Sequence, residues 1–262
     1  MTMIIAVLIF TAIVLVFNHY TWKAKPWPSQ ALSLPQYQGH RGFWKNGAQE
    51  NTMASFKAAK DRGLLMVEMD ARLSKDQEVV IYHDKDLRRL AHSDKSVEEL
   101  NATELAQLSQ VCKLEEVLQS SDIPNYLNIE LKTDRAFDDR LEKKVATLIR
   151  QNHAEKRVLF SSFNPLALRR LRKLLPEVPC ALLATKEKDP ANKIYLRHLW
   201  LAPYANVHLL HLDHKFVSAG ELKSWKKRKI PVAFWTVNEP FQAEKLLAEG
   251  AVSIITDVLG GK

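Results

Sequence analysis

The chain has 262 residues, 46% apolar and 26% charged, with a formal charge of +8 at pH 7. That composition can fill a packed core and excludes a disordered chain; its two cysteines, Cys112 and Cys180, lack metal-ligand spacing and suggest neither a disulfide framework nor a zinc site. The basic surplus, densest at Lys223, Lys226, Lys227, Arg228 and Lys229, favours anionic partners, and the lack of stacking aromatics there beyond Trp225 argues for lipid headgroups over nucleic acid.

From Met3 to Phe17 only Thr11 is not apolar, and no charge precedes Lys23. Extended through Trp22, the stretch predicts one transmembrane helix over residues 1–22, matched to a hydrocarbon core of ~30 Å, with Tyr20 and Trp22 at the interface and Lys23 and Lys25 just beyond. A cleaved signal peptide would need a basic leader and a small-x-small site, and neither is present. The lysines on the C-terminal side predict a single-pass membrane protein whose remainder faces the cytoplasm. Residues 23–35, with Pro26, Pro28, Ser29, Ser33 and Pro35, read as an extended linker, and the folded domain is expected over 36–262.

Within that domain, short apolar runs alternate with longer amphipathic stretches, the pattern of repeated βα units. Strands are predicted over Gln36–His40, Met66–Ala71, Val79–His83, Leu127–Leu131, Val158–Ser161, Ala181–Ala184, Val207–Leu212, Val232–Thr236 and Ser253–Thr256. Helices are predicted over Ser55–Arg62, Arg135–Gln151, Pro165–Leu175, Ser218–Lys227 and Pro240–Ala248, the two prolines sitting at first-turn positions. The second and third strands are separated only by a short polar stretch from Ser74 to Gln77, too short for a parallel crossover, so they must form an antiparallel hairpin. Eight parallel strands remain. The expected fold is a TIM (β/α)8 barrel with a β-hairpin extension after the second strand.

The polar residues that stand out lie at or just past strand ends, the rim where such barrels assemble active sites. Glu68 and Asp70 are two apart on a strand and point to one side, as do Glu130 and Lys132. Three carboxylates converging at a barrel mouth would repel without a cation, and their hard oxygens suit one divalent ion, Mg2+ or Ca2+. Taken singly, each acid would more simply be a structural ion pair with Arg41 or Lys132; together at one rim they favour the metal. His40 and His83 follow predicted strands beside the acids and can act as an acid and base couple near neutrality. Arg41 and Lys132 are cations fit for a phosphodiester. His19, His92, His153 and His198 read as packing or surface residues, while His208, His211 and His214 stay open.

These motifs, His40-Arg41-Gly42, Glu50-Asn51-Thr52, Glu68-Met69-Asp70, Lys75-Asp76, His83-Asp84 and Glu130-Leu131-Lys132, resemble the signature of the glycerophosphodiester phosphodiesterase family. The similarity continues through Ser161-Ser162-Phe163, Trp235-Thr236-Val237-Asn238 and Ile254-Ile255-Thr256-Asp257. The resemblance implies hydrolysis of glycerophosphodiesters to sn-glycerol 3-phosphate and an alcohol, with metal on Glu68, Asp70 and Glu130 and with His40 and His83 as catalytic acid and base. It further implies Arg41 and Lys132 on the phosphate, Trp235 as a pocket wall, and Glu50 and Asn51 as supports. Where the family continues His-Asp-x-x-Leu-x-Arg-Thr, this chain ends Arg88-Arg89-Leu90 and lacks the threonine. The short, polar stretch from His92 to Gln110 leaves the mouth open, so a lysophospholipase D acting on lysophospholipids is the alternative reading. A catalytically inactive barrel binding lipid headgroups is a third.

Overall fold

The computed structural model describes residues 2–28, 31–45, 47–133, 135, 137–189 and 192–261. Met1 of the expected anchor, Ser29 of the linker, Ala136 of a predicted helix and Lys262 lie outside the described residues.

Nine strands form one sheet: β1 (Tyr37–Gly39), β2 (Met66–Leu73), β3 (Val79–Ile81), β4 (Tyr126–Leu131), β5 (Val158–Ser162), β6 (Cys180–Ala184), β7 (Leu209–Asp213), β8 (Val232–Trp235) and β9 (Ser253–Thr256). Eight of them are parallel neighbours, and β1 closes the barrel by pairing with both β9 and β2. The exception is β3, which pairs antiparallel with β2 in the register Ala71 to Ile81 and Leu73 to Val79. The hairpin expected from the short polar stretch is therefore present, and Tyr82 N–H donates to the Asp70 carbonyl at 2.8 Å as the chain returns.

Strand alternation sorts β2 into two faces. Val67, Met69 and Ala71 join the large apolar cluster that includes Phe56, Ala59 and Leu114. Met66 instead meets Leu159, Ala181, Leu209 and Ala233 inside the barrel, and Glu68 and Asp70 follow it on that inner face. Leu32, only 2% exposed, packs on the same inner group, and Trp27 Nε1 donates to its carbonyl at 2.9 Å. The proline-rich segment thus plugs one end of the barrel.

Four of the five predicted helices agree with the structure to within two residues at either end: α2 (Met53–Asp61), α4 (Pro165–Leu174), α5 (Ala219–Lys227) and α6 (Pro240–Glu249). The helix predicted over Arg135–Gln151 begins later, as α3 (Arg140–Gln151), because Asp138 Oδ1 accepts the Arg140 N–H at 3.2 Å and holds the preceding turn outside the helix.

The N-terminal expectation needs correction. Thr2–Thr21 is helical (α1), yet among the described residues no helix is long and apolar enough to cross a membrane. The apolar run from Met3 to Phe17 rises only about 22 Å, short of ~30 Å. Its polar end is committed to protein: Arg228 Nη2 donates to the carbonyls of His19 and Trp22, each at 2.9 Å, and Lys25 N–H donates to Val207 O at 2.9 Å. The transmembrane anchor and the single-pass membrane location with a cytoplasmic domain are overturned together, and the membrane lipid as partner loses the support the anchor gave it.

Two buried histidines predict how stability responds to acid. His208 Nδ1 accepts the Cys180 N–H at 2.9 Å, and burial, then the Arg172 charge, lowers its pKa from 6.5 to about 4. Burial alone takes His211 down to about 3. The unfolded chain binds the proton first, so the contribution is complete above pH 6.5 and is lost as pH falls toward the folded values. Asn at 208 keeps an acceptor but cannot titrate. In urea unfolding, His208→Asn should lose about 2 kcal/mol less stability than the parent between pH 7 and pH 5; equal losses would refute a neutral buried His208.

Candidate active site

The site is assembled by register. Gly39 pairs with Thr256 across β1 and β9, so the next residues, His40 and Asp257, emerge side by side, and His40 Nδ1 lies 2.8 Å from Asp257 Oδ1. Asn238 fixes that carboxylate from behind, Nδ2 donating to Asp257 Oδ2 at 2.8 Å while Oδ1 accepts the Asp257 N–H at 2.9 Å. Against burial, which would raise it, the His40 hydrogen bond and charge hold Asp257 below the usual carboxylate range.

His83 is built the same way from another part of the chain. The returning hairpin carries it beside Asp70, and its Nδ1 lies 2.7 Å from Asp84 Oδ1; Asp84 Oδ2 accepts from Arg89 Nε at 2.7 Å. Burial lowers His83 to about 4, with Lys132 and Arg41 opposing and Asp70 favouring its protonation. In both pairs a carboxylate occupies Nδ1, which leaves Nε2 for chemistry.

Asp70 stands opposite Glu130 in the β2 to β4 register, and Glu68 precedes it on the same face. One ligand oxygen from each of the three lies within 4.8 Å of the others, all in buried residues. At an effective dielectric of ~20 each carboxylate pair at that separation repels by roughly 3 kcal/mol. Burial, then the neighbouring Asp70 and Glu130 charges, pushes Glu68 well above the ordinary carboxylate value. Burial also raises Glu130, whereas Asp70 is drawn down, against burial, first by Lys132. Lys132 Nζ sits 2.6 Å from Glu130 Oε1 and 3.1 Å from Asp70 Oδ1, yet Glu130 Oε1 accepts no well-aligned hydrogen bond. Three acids against Lys132 and Arg41 leave one negative charge over. The all-oxygen donor set of three converging carboxylates fits a hard divalent cation.

The Glu50-Asn51-Thr52 motif divides its work. Glu50, 4% exposed, accepts from Arg41 Nη1 at 2.8 Å and from Arg89 at 3.0 and 2.5 Å. Asn51 clamps Asp70, donating through Nδ2 to Oδ2 at 2.7 Å and accepting its N–H at 3.2 Å. Thr52 caps α2 in a reciprocal box with Ser55. Arg41 N–H donates to Glu68 Oε2 at 3.0 Å, a geometry that requires Arg41 at φ +55 and Gly42 at φ +87. A Cβ at Gly42 would stand 2.7 Å from the Ser55 carbonyl carbon, so only glycine fits.

One pocket is lined by His40, Arg41, Glu68, His83, Glu130, Lys132 and Trp235; Asp70 joins through the acid cluster, and Glu50 and Asn51 lie behind it. Trp235 packs edge-on against Phe163, ring centroids 5.7 Å apart, and its Nε1 is buried without an acceptor. Of the open histidines, His211 lines the pocket floor, His208 meets Trp27 edge-on, and His214 is half-buried past β7. Sequence reading did not assign roles to Asp257, Asn238, Asp84 and Arg89. The signal was there in part, since Arg89 stands where the family pattern has its arginine.

Residues 40–260 match the Glycerophosphoryl diester phosphodiesterase family. The chain is 28% identical over 232 residues to a glycerophosphodiester phosphodiesterase of Caldanaerobacter subterraneus subsp. tengcongensis, covering 83% of this chain and 92% of the relative. It is 31% identical over 237 residues to a glycerophosphodiester phosphodiesterase of Bacillus altitudinis, with the same coverage of 83% and 92%. A solved Oleispira antarctica phosphodiesterase, in complex with the product sn-glycerol-3-phosphate, superposes with a TM-score of 0.73 at 26% identity, covering 86% of this chain and 93% of that one.

Asn51→Ala should release Asp70 and weaken Mn2+ binding, measured by titration calorimetry, by about 10- to 100-fold. Unchanged affinity would show that Asp70 keeps its place without the clamp.

Proposed function

The chain belongs to the glycerophosphoryl diester phosphodiesterase family, and from that premise we propose that it hydrolyses glycerophosphodiesters to sn-glycerol 3-phosphate and an alcohol. The observation that carries the reading is the convergence of three buried acids, two carboxylate-held imidazoles and two cations on one pocket.

In this reading Glu68, Asp70 and Glu130 hold one divalent ion, Mg2+ or Ca2+, which would supply charge neutralisation at the phosphoryl oxygens. Arg41 and Lys132 orient the phosphodiester and add to that neutralisation. His40 and His83 work through Nε2: one imidazole takes the proton of the attacking water, or of a glycerol hydroxyl whose cyclic phosphate a second, water-consuming step then opens, while the other gives a proton to the departing alcohol oxygen. Asp257 and Asp84 hold the two rings in the tautomer this requires. Trp235 and Phe163 wall the pocket, and the unpartnered Trp235 N–H is available to a substrate oxygen. Glu50 keeps Arg41 in place, and Asn51 keeps Asp70.

The test is glycerol 3-phosphate release from glycerophosphocholine. EDTA should abolish it and Mg2+ or Ca2+ restore it, and His40→Ala should lower kcat about 10²- to 10⁴-fold. Turnover indifferent to chelation, or intact in His40→Ala, would overturn the mechanism; headgroup binding without turnover under either ion would leave the inactive barrel.

A second reading, lysophospholipase D, no longer draws support from an anchor, but a groove favours it. Phe163 is shared between the catalytic pocket and a groove of about 670 Å3 whose walls include Pro165, Leu166, Tyr195, Leu196 and Leu201. An acyl chain leaving the phosphodiester would find apolar surface there. Leu196→Asp should lower lysophosphatidylcholine turnover about 10-fold, the worth of a few buried methylenes, with glycerophosphocholine turnover unchanged. Equal effects on both substrates, or no cleavage of lysophosphatidylcholine by the parent, would dismiss this variant.

A further inference from the structure

A second cavity, about 310 Å3, lies between the ends of β6 and β7, α5 and the C-terminal end of α1, and it shares no lining residue with the catalytic pocket. Its two acids are already engaged. Glu221 takes Lys186 Nζ at 2.6 Å and the Ser218 N–H at 3.0 Å, and Asp213 accepts from Thr185 Oγ1 at 3.0 Å and from the Lys215 N–H at 3.1 Å.

The remaining basic groups are unmatched. Among the described residues no carboxylate pairs with Arg197 or Arg228, although both line the cavity and neither is fully exposed. Arg228 gives Nη2 to two backbone carbonyls and lies over the Trp22 ring, but its Nε, the Arg197 Nε and His19 Nδ1 are buried without an acceptor. Burial and then the Arg228 charge push His19 below its ordinary value, as expected where like charges crowd. A buried donor left unsatisfied is costly, and guanidinium groups are the side chains best shaped to grip an oxyanion at two points. Trp200, Trp225 and Phe216 add aromatic wall to the same space, so the cavity offers both an anion seat and an apolar one.

We propose that this cavity is a second ligand site, separate from the catalytic pocket, which binds a phosphate-bearing organic anion with its oxyanion between Arg197 and Arg228 and its apolar part against Trp200 and Trp225. The chemistry is shared by free organic phosphates and by phospholipid headgroups, and the experiment separates the two. The site does not depend on the hydrolytic reading, because the readout is binding in EDTA.

The full chain is titrated calorimetrically with inorganic phosphate, glycerol 3-phosphate and dihexanoyl phosphatidate. Binding that survives Arg41→Gln in the catalytic pocket but weakens about 10-fold or more in Arg197→Gln, the worth of one charge-assisted hydrogen bond, supports the site. Arg228 also anchors backbone, so Arg228→Lys is paired with a thermal melt, and Arg197→Gln carries the decision should the Arg228 variant fail to fold. Trp200→Ala should weaken phosphatidate more than inorganic phosphate. Preference for phosphatidate assigns a lipid headgroup, and equal affinity for glycerol 3-phosphate assigns a free organic phosphate. No binding by any of the three, binding unchanged in Arg197→Gln, or binding wholly lost in Arg41→Gln would overturn the proposal.

Discussion

The crowding of Glu68, Asp70 and Glu130 is the constraint on which the rest of the site depends. Acids this close and this buried cannot all be charged without positive partners, and the fold answers with Lys132 across Asp70 and Glu130 and with the Arg41 guanidinium 3.5 Å from Asp70, its charge also favouring an ionised Glu68. That answer is incomplete by one charge. The surrounding hydrogen bonds engage both Asp70 oxygens and one oxygen of Glu68. Asn51 takes one Asp70 oxygen and Lys132 the other, while Glu50 takes Arg41 by its side chain and leaves its backbone N–H for Glu68.

Holding these groups requires backbone that ordinary elements do not provide. Arg41 and Asn51 both adopt left-handed φ, +55 and +57, with Gly42 at +87 between them in the chain. Such positions are disfavoured for most side chains, and here they recur at the turns that aim Arg41 at Glu68 and Glu50 and aim Asn51 at Asp70. The two turns are tied together by the Asn51 N–H to the Arg41 carbonyl at 3.0 Å and by Ser55 Oγ to the same carbonyl at 3.0 Å. Local strain is stored where it positions charge.

What the sequence made legible follows from range. The strands, the hairpin and the spacing of Glu68 with Asp70 and Glu130 with Lys132 are local facts, set by period-two alternation and by a turn too short for a crossover. The pairing of His40 with Asp257 joins residues 217 positions apart, and it exists only because β1 closes the barrel against β9. Nothing in either neighbourhood announces it. Arg89 was legible only in part: it stands where the family pattern has its arginine, but its value lies in spanning Glu50 and Asp84. The N-terminal error has a different origin: counting uncharged residues carried the span through Asn18 to His19 and Trp22, and the His19 and Trp22 carbonyls and the Trp22 ring are engaged with Arg228. Composition cannot distinguish an apolar end facing a bilayer from one ending on its own protein.

The hairpin shows why one departure from strict βα alternation matters. A parallel strand after β2 would have placed its own end at the rim a full crossover away, with a helix between. By folding back antiparallel, β3 returns the chain to the Asp70 carbonyl within a few residues, and His83 arrives beside the acids on backbone already hydrogen-bonded to them. Arg72, on the other arm, fixes the His83 carbonyl through Nε and Nη2 at 3.0 and 2.9 Å, so the imidazole is held from its backbone as well as through Asp84. The second histidine thereby follows the strand pair that carries two of the acids, one residue past Tyr82, whose N–H is bonded to the Asp70 carbonyl. His40 emerges just past the adjoining strand β1, where its register with β9 sets it beside Asp257. Two imidazoles reach one pocket directly after strands of the same barrel, His40 after β1 and His83 shortly after β3, a placement that suits the proton transfers proposed for them.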